Sequence, residues 1–218
     1  MHHITLQGES QPIAVGKIVC LARNYVAHAK ELGNEVPSDP VLFIKPTTSM
    51  INDGETMVIP GYSDDCHHEV ELAVLIGRTA HNVSAEEAMD YVAGYGIGID
   101  MTLRDTQAVL KEKGYPWELA KGFDTSCPLS EFVPADRVGD PHDLAIRLQV
   151  NGEVRQDANT GLMIRRIPET IAAITRAFTL EPGDLILTGT PAGVGRVVAG
   201  DKMLAEIEGI GTLQVDVR

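Results

Sequence analysis

The sequence predicts an α+β chain: an irregular, mostly antiparallel β architecture with a few short peripheral helices. Three observations point there. Short β-branched or alternating apolar runs dominate, bounded by Gly, Pro, Asn or Asp. They do not alternate strictly with helical patterns, which disfavours a doubly wound parallel sheet. The 21 glycines and 12 prolines are spread along the whole chain as turn punctuation, with no repeat, low-complexity tract or linker.

In chain order, strands are expected at 17–22 (KIVCLA) and 41–45 (VLFIK). Between them, Asn24 is placed to cap a helix over 25–32, with Gly33 just past its end. Strands follow at 57–60 and 69–76, and Ser84 precedes a helical stretch at 86–90. The strand at 91–100 (YVAGYGIGID) carries glycines at 94, 96 and 98, so one face has almost no side chains. Such glycines mark close approach by another backbone or a ligand. A helix over 102–113 ends at Gly114, and Pro168 opens another at 169–178. Strands at 144–150, 184–187 and 213–217 complete the set.

At 218 residues the chain is sized for one domain and buries about 70% of the surface its unfolded form exposes. Its 44% hydrophobic and 22% charged residues are globular composition and argue against disorder. The net charge of −13, with no basic run, excludes nucleic acid and anionic membrane surfaces as expected partners. No apolar run approaches the roughly 20 residues that span a bilayer. The first residues have neither the basic start nor the apolar centre of a signal peptide. Cys20, Cys66 and Cys127 are odd in number and form no CxxC, which fits a reducing compartment. A cytoplasmic location is expected.

The sharpest local feature is HHEVELAV at 67–74. Alternation along a strand puts Glu69 and Glu71 on one face roughly 7 Å apart, with Val70, Leu72 and Val74 opposite. A solvent-facing edge strand explains a bare ExE equally well. Asp100, ending the glycine-rich strand, is placed either as a helix cap or as a third oxygen ligand. Three carboxylates suit a hard ion such as Mg2+ or Mn2+. His67 shares their parity and raises a zinc or iron site, but Cys66 and His68 point the other way.

In a helix at 25–32, His28 and Glu31 are i, i+3, a carboxylate beside an imidazole as a general base requires. An ordinary surface pair has the same spacing. LTGTPAGVG at 187–195 lacks the Gly-Lys-Ser/Thr of a phosphate loop, yet its N–H groups and the Thr190 hydroxyl suit a small carboxylate. Arg104 and Gln107, with Lys121 in AKGF, complete the polar set.

Arg-Asn-Tyr from 23, HHEVELAVLIG at 67–77, GYGIGIDMTLRDTQ at 94–107, PWELAKGFDTSCP at 116–128 and LTGTPAGVG at 187–195 together resemble the fumarylacetoacetate hydrolase family. The likeness is closest to its short members of acylpyruvase and oxaloacetate decarboxylase or tautomerase type. It implies a mixed β-sandwich roll as one catalytic domain over 1–218, with 1–16 a short N-terminal segment and 17–218 the family core. It implies a homodimer and a small 2-oxo acid substrate. Glu69, Glu71 and Asp100 match the ligands of Mg2+ or Mn2+; an additional upstream aspartate of larger members has no counterpart. His28 and Glu31 match a dyad on a segment that closes over substrate, and Lys121 a lysine beside the metal. Arg23, Arg104, Gln107 and Thr190 match substrate contacts. Acylpyruvate hydrolysis, oxaloacetate decarboxylation and tautomerisation share one enolate and stay open here. So do isomerisation or decarboxylation of hydroxyheptadienedioates and, in another class, a metal-binding β module without catalysis.

Overall fold

The computed structural model describes residues 2–218, and the runs read as strands from sequence fold as strands, except that of the run at 57–60 only Met57 is in a strand, β6 ending there. Among the described residues the first half of the chain forms β1 (His3–Ile4), β2 (Ile13–Ala14), β3 (Ile18–Ala22), α1 (Val26–Glu31), β4 (Val41–Lys45), β5 (Met50–Asn52), β6 (Thr56–Met57), β7 (Cys66–His68), β8 (Val70–Ile76), β9 (Val92–Ile99), β10 (Thr102–Leu103) and α2 (Arg104–Lys113). The second half adds α3 (Glu118–Lys121), β11 (Cys127–Leu129), β12 (Val133–Pro134), β13 (Ala145–Val150), β14 (Glu153–Asn159), α4 (Ile167–Thr175), β15 (Leu185–Leu187), β16 (Gly195–Val197), β17 (Lys202–Ile207) and β18 (Gly211–Val217).

An eight-stranded sheet runs β4-β3-β15-β8-β9-β11-β5, with β12 added to β9, and a five-stranded sheet runs β14-β13-β17-β18-β6. Named pairings are antiparallel except β3–β15, β5–β11 and β6–β18. Val70, Leu72 and Val74 of β8 share one apolar core with Ile146 and Leu148 of β13 and Leu213 and Val215 of β18. Ala73 and Leu75, on the other face of β8, join a second core with Ile18, Leu187 and Phe132. The larger sheet is therefore buried on both faces, which is why β8 reads as an apolar run rather than an alternating one.

Three local expectations are corrected, and the glycines of β9 mark close approach as expected. β8 is a central strand, all seven residues buried, so the exposed-edge reading of Glu69 and Glu71 fails. The bare face of β9 takes up the protein's own groups: a Cβ at Gly94 would meet the Val133 carbonyl, one at Gly96 the Phe132 ring and one at Gly98 the Leu187 side chain. The helix expected from 102 starts at Arg104, because Thr102 and Leu103 pair with β7 as β10. Asn24 does not cap α1; Tyr25 occupies that position without a side-chain cap bond. Gly114 ends α2 in the left-handed region as expected (φ 66°).

Candidate active site

β8 and β9 pair with Val70 opposite Ile99 and Glu71 opposite Gly98. One step further out, the Asp100 N–H donates to the Glu69 carbonyl at 2.8 Å. Opposed residues share a face, so Glu69, Glu71 and Asp100 meet at the end of this strand pair. Their ligand oxygens lie within 4.8 Å of one another, and all three residues are buried. Asp100 is thus no helix cap.

Three buried carboxylates this close need compensation. Lys121, at the end of α3, donates to Glu69 Oε2 at 2.7 Å, Asp100 Oδ2 at 2.5 Å and Thr102 Oγ1 at 2.7 Å. Arg104 pairs with the other Glu69 oxygen and donates to Gln107 Oε1 at 3.0 Å. Burial opposes charge on Glu69, but Arg104 and Lys121 outweigh it and hold its pKa well below the carboxylate range. Burial likewise opposes charge on Lys121, yet Asp100 and Glu69 leave its pKa raised. Glu71 has no cation of its own. Burial, then the charges of Asp100 and Glu69, push its pKa well above the usual range, and the Gly189 N–H at 2.6 Å does not offset them. The donor set is all carboxylate oxygen with one carboxylate uncompensated, and a hard divalent cation such as Mg2+ or Mn2+ fits it.

The loop after β15 runs along the same end of β8. Its N–H groups at Gly189 and Gly193 hold the protein's own Glu71 and Glu31. Thr190 Oγ1 donates to the Val70 carbonyl at 2.8 Å and accepts from Gln156 Nε2 at 2.8 Å. α1 brings His28 over the centre, its Nε2 4.0 Å from Glu69 Oε1 and its Nδ1 3.4 Å from Glu31 Oε2. Burial lowers the His28 pKa, and this outweighs the charge of Glu69. One pocket is lined by Glu69, Glu71, Asp100, His28, Lys121, Arg23, Arg104, Gln107 and Thr190. Glu31 stands behind His28. His67 sits instead against Asp65, Nε2 to Oδ1 at 3.0 Å, outside the carboxylate cluster.

Sequence reasoning missed three groups. Lys45, fully buried at the end of β4, places Nζ 2.8 Å from Asp100 Oδ1, at an angle that forms no hydrogen bond, and 3.0 Å from the Ser126 carbonyl. Its only signal was a lysine closing an apolar strand. Asn24 donates to the carbonyls of Thr188 at 2.8 Å and Arg165 at 2.9 Å and accepts the Arg165 N–H at 2.8 Å. Gln156 sits in a run with no clear strand pattern, so nothing marked it.

Burying three carboxylates in a core that apolar residues would fill more stably is the mark of a site where chemistry is done; the centre is that of an enzyme. The chain belongs to the fumarylacetoacetate hydrolase family: residues 17–218 match the fumarylacetoacetate (FAA) hydrolase C-terminal region. It is 48% identical over 200 residues to the mitochondrial oxaloacetate tautomerase FAHD1 of Bos taurus, covering 92% of this chain and 90% of the relative. A crystal structure of fumarylpyruvate hydrolase from Pseudomonas aeruginosa, in complex with Mn2+ and pyruvate, superposes with a TM-score of 0.95 at 40% identity, covering 99% of this chain and 95% of that one. The 2-hydroxyhepta-2,4-diene-1,7-dioate isomerase of Mycobacterium marinum superposes with a TM-score of 0.84 at 43% identity, covering 94% and 75%.

Proposed function

We propose that residues 1–218 act as one catalytic domain, a Mg2+- or Mn2+-dependent enzyme for small 2-oxo acids bearing a 1,3-dicarbonyl system. The reaction is acylpyruvate hydrolysis, oxaloacetate decarboxylation or keto–enol tautomerisation. The observation that carries this reading is the buried Glu69–Glu71–Asp100 cluster facing the His28–Glu31 pair across one pocket.

Glu69, Glu71 and Asp100 hold the cation, which when bound supplies the electrophilic charge that favours an enolate. His28, neutral at pH 7 because it is buried, takes a proton from water in hydrolysis or from C3 in tautomerisation, and Glu31 orients and supports its ring. Lys121, held protonated at rest by Asp100 and Glu69, lends positive charge to the developing enolate; in hydrolysis it also helps deliver a proton to the pyruvate enolate and regains one from solvent. Arg104, Gln107, Thr190 and Arg23 contact the substrate. A second reading, isomerisation of a hydroxyheptadienedioate, draws support from the Mycobacterium marinum neighbour and needs only the proton transfer.

The deciding experiment incubates metal-stripped protein plus Mg2+ with acetylpyruvate, oxaloacetate and a hydroxymuconate-type dienoate, with products followed by NMR. Acetate plus pyruvate establishes the hydrolase, and pyruvate plus CO2 the decarboxylase. Exchange confined to keto and enol forms, or a moved double bond, establishes the isomerase. Absence of Mg2+-dependent turnover of all three overturns the reading. The proposal includes a homodimer and a cytoplasmic location, tested by light scattering and cell fractionation.

A further inference from the structure

Lys121 is gripped at both ends by one strand. On β4, Phe43 and Lys45 are two residues apart and share a face. Lys45 donates to the Lys121 carbonyl, which also accepts the Ser126 hydroxyl at 2.9 Å. The Lys121 ammonium lies over the Phe43 ring, 5.0 Å from its centroid. The chain just past α3 is pressed onto the end of the strand: a Cβ at Gly122 would meet Pro46 Cδ at 2.9 Å. Backbone and side chain of Lys121 are thus set against the same short segment.

The ring differs in kind from the other partners of this ammonium. An ammonium has three N–H donors, and all three have acceptors, on Glu69, Asp100 and Thr102. Two of those acceptors are carboxylates that a bound cation would share, which loosens their hold on Lys121. A ring face attracts a cation through its quadrupole, takes no proton from it and is no ligand for a hard divalent ion. Among the described residues one other cation lies over a ring, Arg78 at 5.2 Å from the Tyr91 centroid, and Arg78 is exposed. The Lys121 side chain is 4% exposed, and such an attraction is strongest where water is excluded.

Phe43 also stands between two spaces. Lys121 lines the pocket of the carboxylate centre, whereas Phe43 lines an open groove with Val41, Leu42 and Tyr115. Trp117 lines both, its ring centroid 6.0 Å from that of Phe43. The Phe43 ring therefore shields the ammonium on the groove side.

Resting on the reading of the centre as a 2-oxo acid site, we infer that Phe43 is a positioning residue, its ring face holding the Lys121 ammonium where enolate charge develops. Phe43 touches no substrate and acts through Lys121. Its effect falls on a ligand with the charge of the enolate and spares the keto acid from which the enolate forms.

The test is calorimetric and independent of turnover. Mg2+-loaded protein is titrated with oxalate, a planar dianion with the shape and charge of the pyruvate enolate, and with pyruvate itself. The wild type is expected to prefer oxalate. Phe43→Leu should weaken oxalate binding about fivefold or more and pyruvate binding by less than about twofold, and Phe43→Tyr should restore both. A fluorinated phenylalanine placed at position 43 keeps the ring and drains its face of negative potential, so it should reproduce the selective loss even if Phe43→Leu folds poorly. Equal loss for the two ligands, no loss, or a fluorinated ring that binds oxalate as the wild type does, overturns the positioning role. So does a wild type without preference for oxalate. If the wild type prefers oxalate only with Mg2+ and the ring substitutions change nothing, the role of Phe43 alone fails. If neither ligand binds, or binding ignores Mg2+, the 2-oxo acid reading falls with it.

Discussion

Glu71 is the carboxylate whose charge the protein leaves uncompensated, and the consequence can be measured. Its raised pKa means that the folded, metal-free protein holds that proton more tightly than the unfolded chain does. This stabilising difference is complete below the ordinary carboxylate pKa and is lost as pH rises from there through the raised value. Metal-free Glu71→Gln should therefore gain stability over metal-free wild type as pH rises, and added Mg2+ should reverse the order. Denaturant midpoints across pH 5–8, with EDTA or Mg2+, read this directly; parallel curves for the two proteins would refute it. Glu69, whose pKa is lowered, contributes no slope there, being ionised in both states above its ordinary range. At His28 the sign is opposite. With its pKa lowered chiefly by burial, the imidazole stays neutral until pH falls below about 6.5, its ordinary value. A bound cation shifts it further the same way. The acid limb of kcat/KM should have its midpoint below that value, and His28→Ala should cost about 100-fold or more in rate while Mg2+ affinity is kept. Collapse of metal affinity instead would place His28 among the ligands.

At the scale of elements, the site depends on how α1 and the loop after β15 are tied together. Asn24, 1% exposed, closes three hydrogen bonds to the backbone of Thr188 and Arg165, and the Ile164 N–H donates to its own carbonyl at 2.7 Å. Asn24→Ala strands buried donors and acceptors in two segments at once and should cost about 2–4 kcal/mol, read as a shift in denaturant midpoint. A loss under about 1 kcal/mol would mean the segments hold each other without it. Asn24 also shows where sequence reading stops. The spacing of His28 and Glu31 within a turn of helix was legible because the period is local. The same residue type that caps helices in short-range statistics here serves a long-range tie, between positions 141 and 164 residues apart, which no local pattern encodes. The two glutamates were legible for the same local reason, since period two held across the break between β7 and β8. Lys45 was not, because a buried lysine is announced by its distant partners, Asp100 and Ser126, rather than by its neighbours.

Across the whole molecule, the centre lies on the larger sheet but is braced from the smaller one. Of the larger sheet, β3, β4, β8, β9 and β15 were legible as apolar runs, whereas β5, β11 and β12, of two or three residues each, are too short to show a period. β14 was missed because only one of its seven residues, Gln156, is fully buried, and that one is polar. Its amide oxygen accepts the Val70 N–H at 3.1 Å and faces His68 Nδ1 at 3.0 Å, while its Nε2 donates to Thr190 Oγ1 at 2.8 Å and to the Pro191 carbonyl at 2.9 Å. One side chain thus binds the strand that carries Glu71 to the loop that carries Thr190. A hydroxyl that donates to Val70 and accepts from Gln156 has one lone pair left, so toward a ligand Thr190 Oγ1 acts as an acceptor. Gln156→Met keeps the volume and removes every one of these bonds, leaving the Val70 N–H and the Pro191 carbonyl unsatisfied in the core. The expected cost is about 3 kcal/mol of stability. Because Thr190 is then free to turn its proton into the pocket, the affinity for a monoanionic 2-oxo acid such as 2-oxohexanoate should change along with the denaturant midpoint. Gln156→Glu separates the two effects: its carboxylate still accepts from Val70 but cannot donate to Thr190 or Pro191. If both variants lose stability yet bind 2-oxohexanoate as the wild type does, Gln156 braces the sheets without setting the hydroxyl. If Gln156→Glu alters binding as Gln156→Met does while retaining more stability, the smaller sheet reaches the pocket through this one amide.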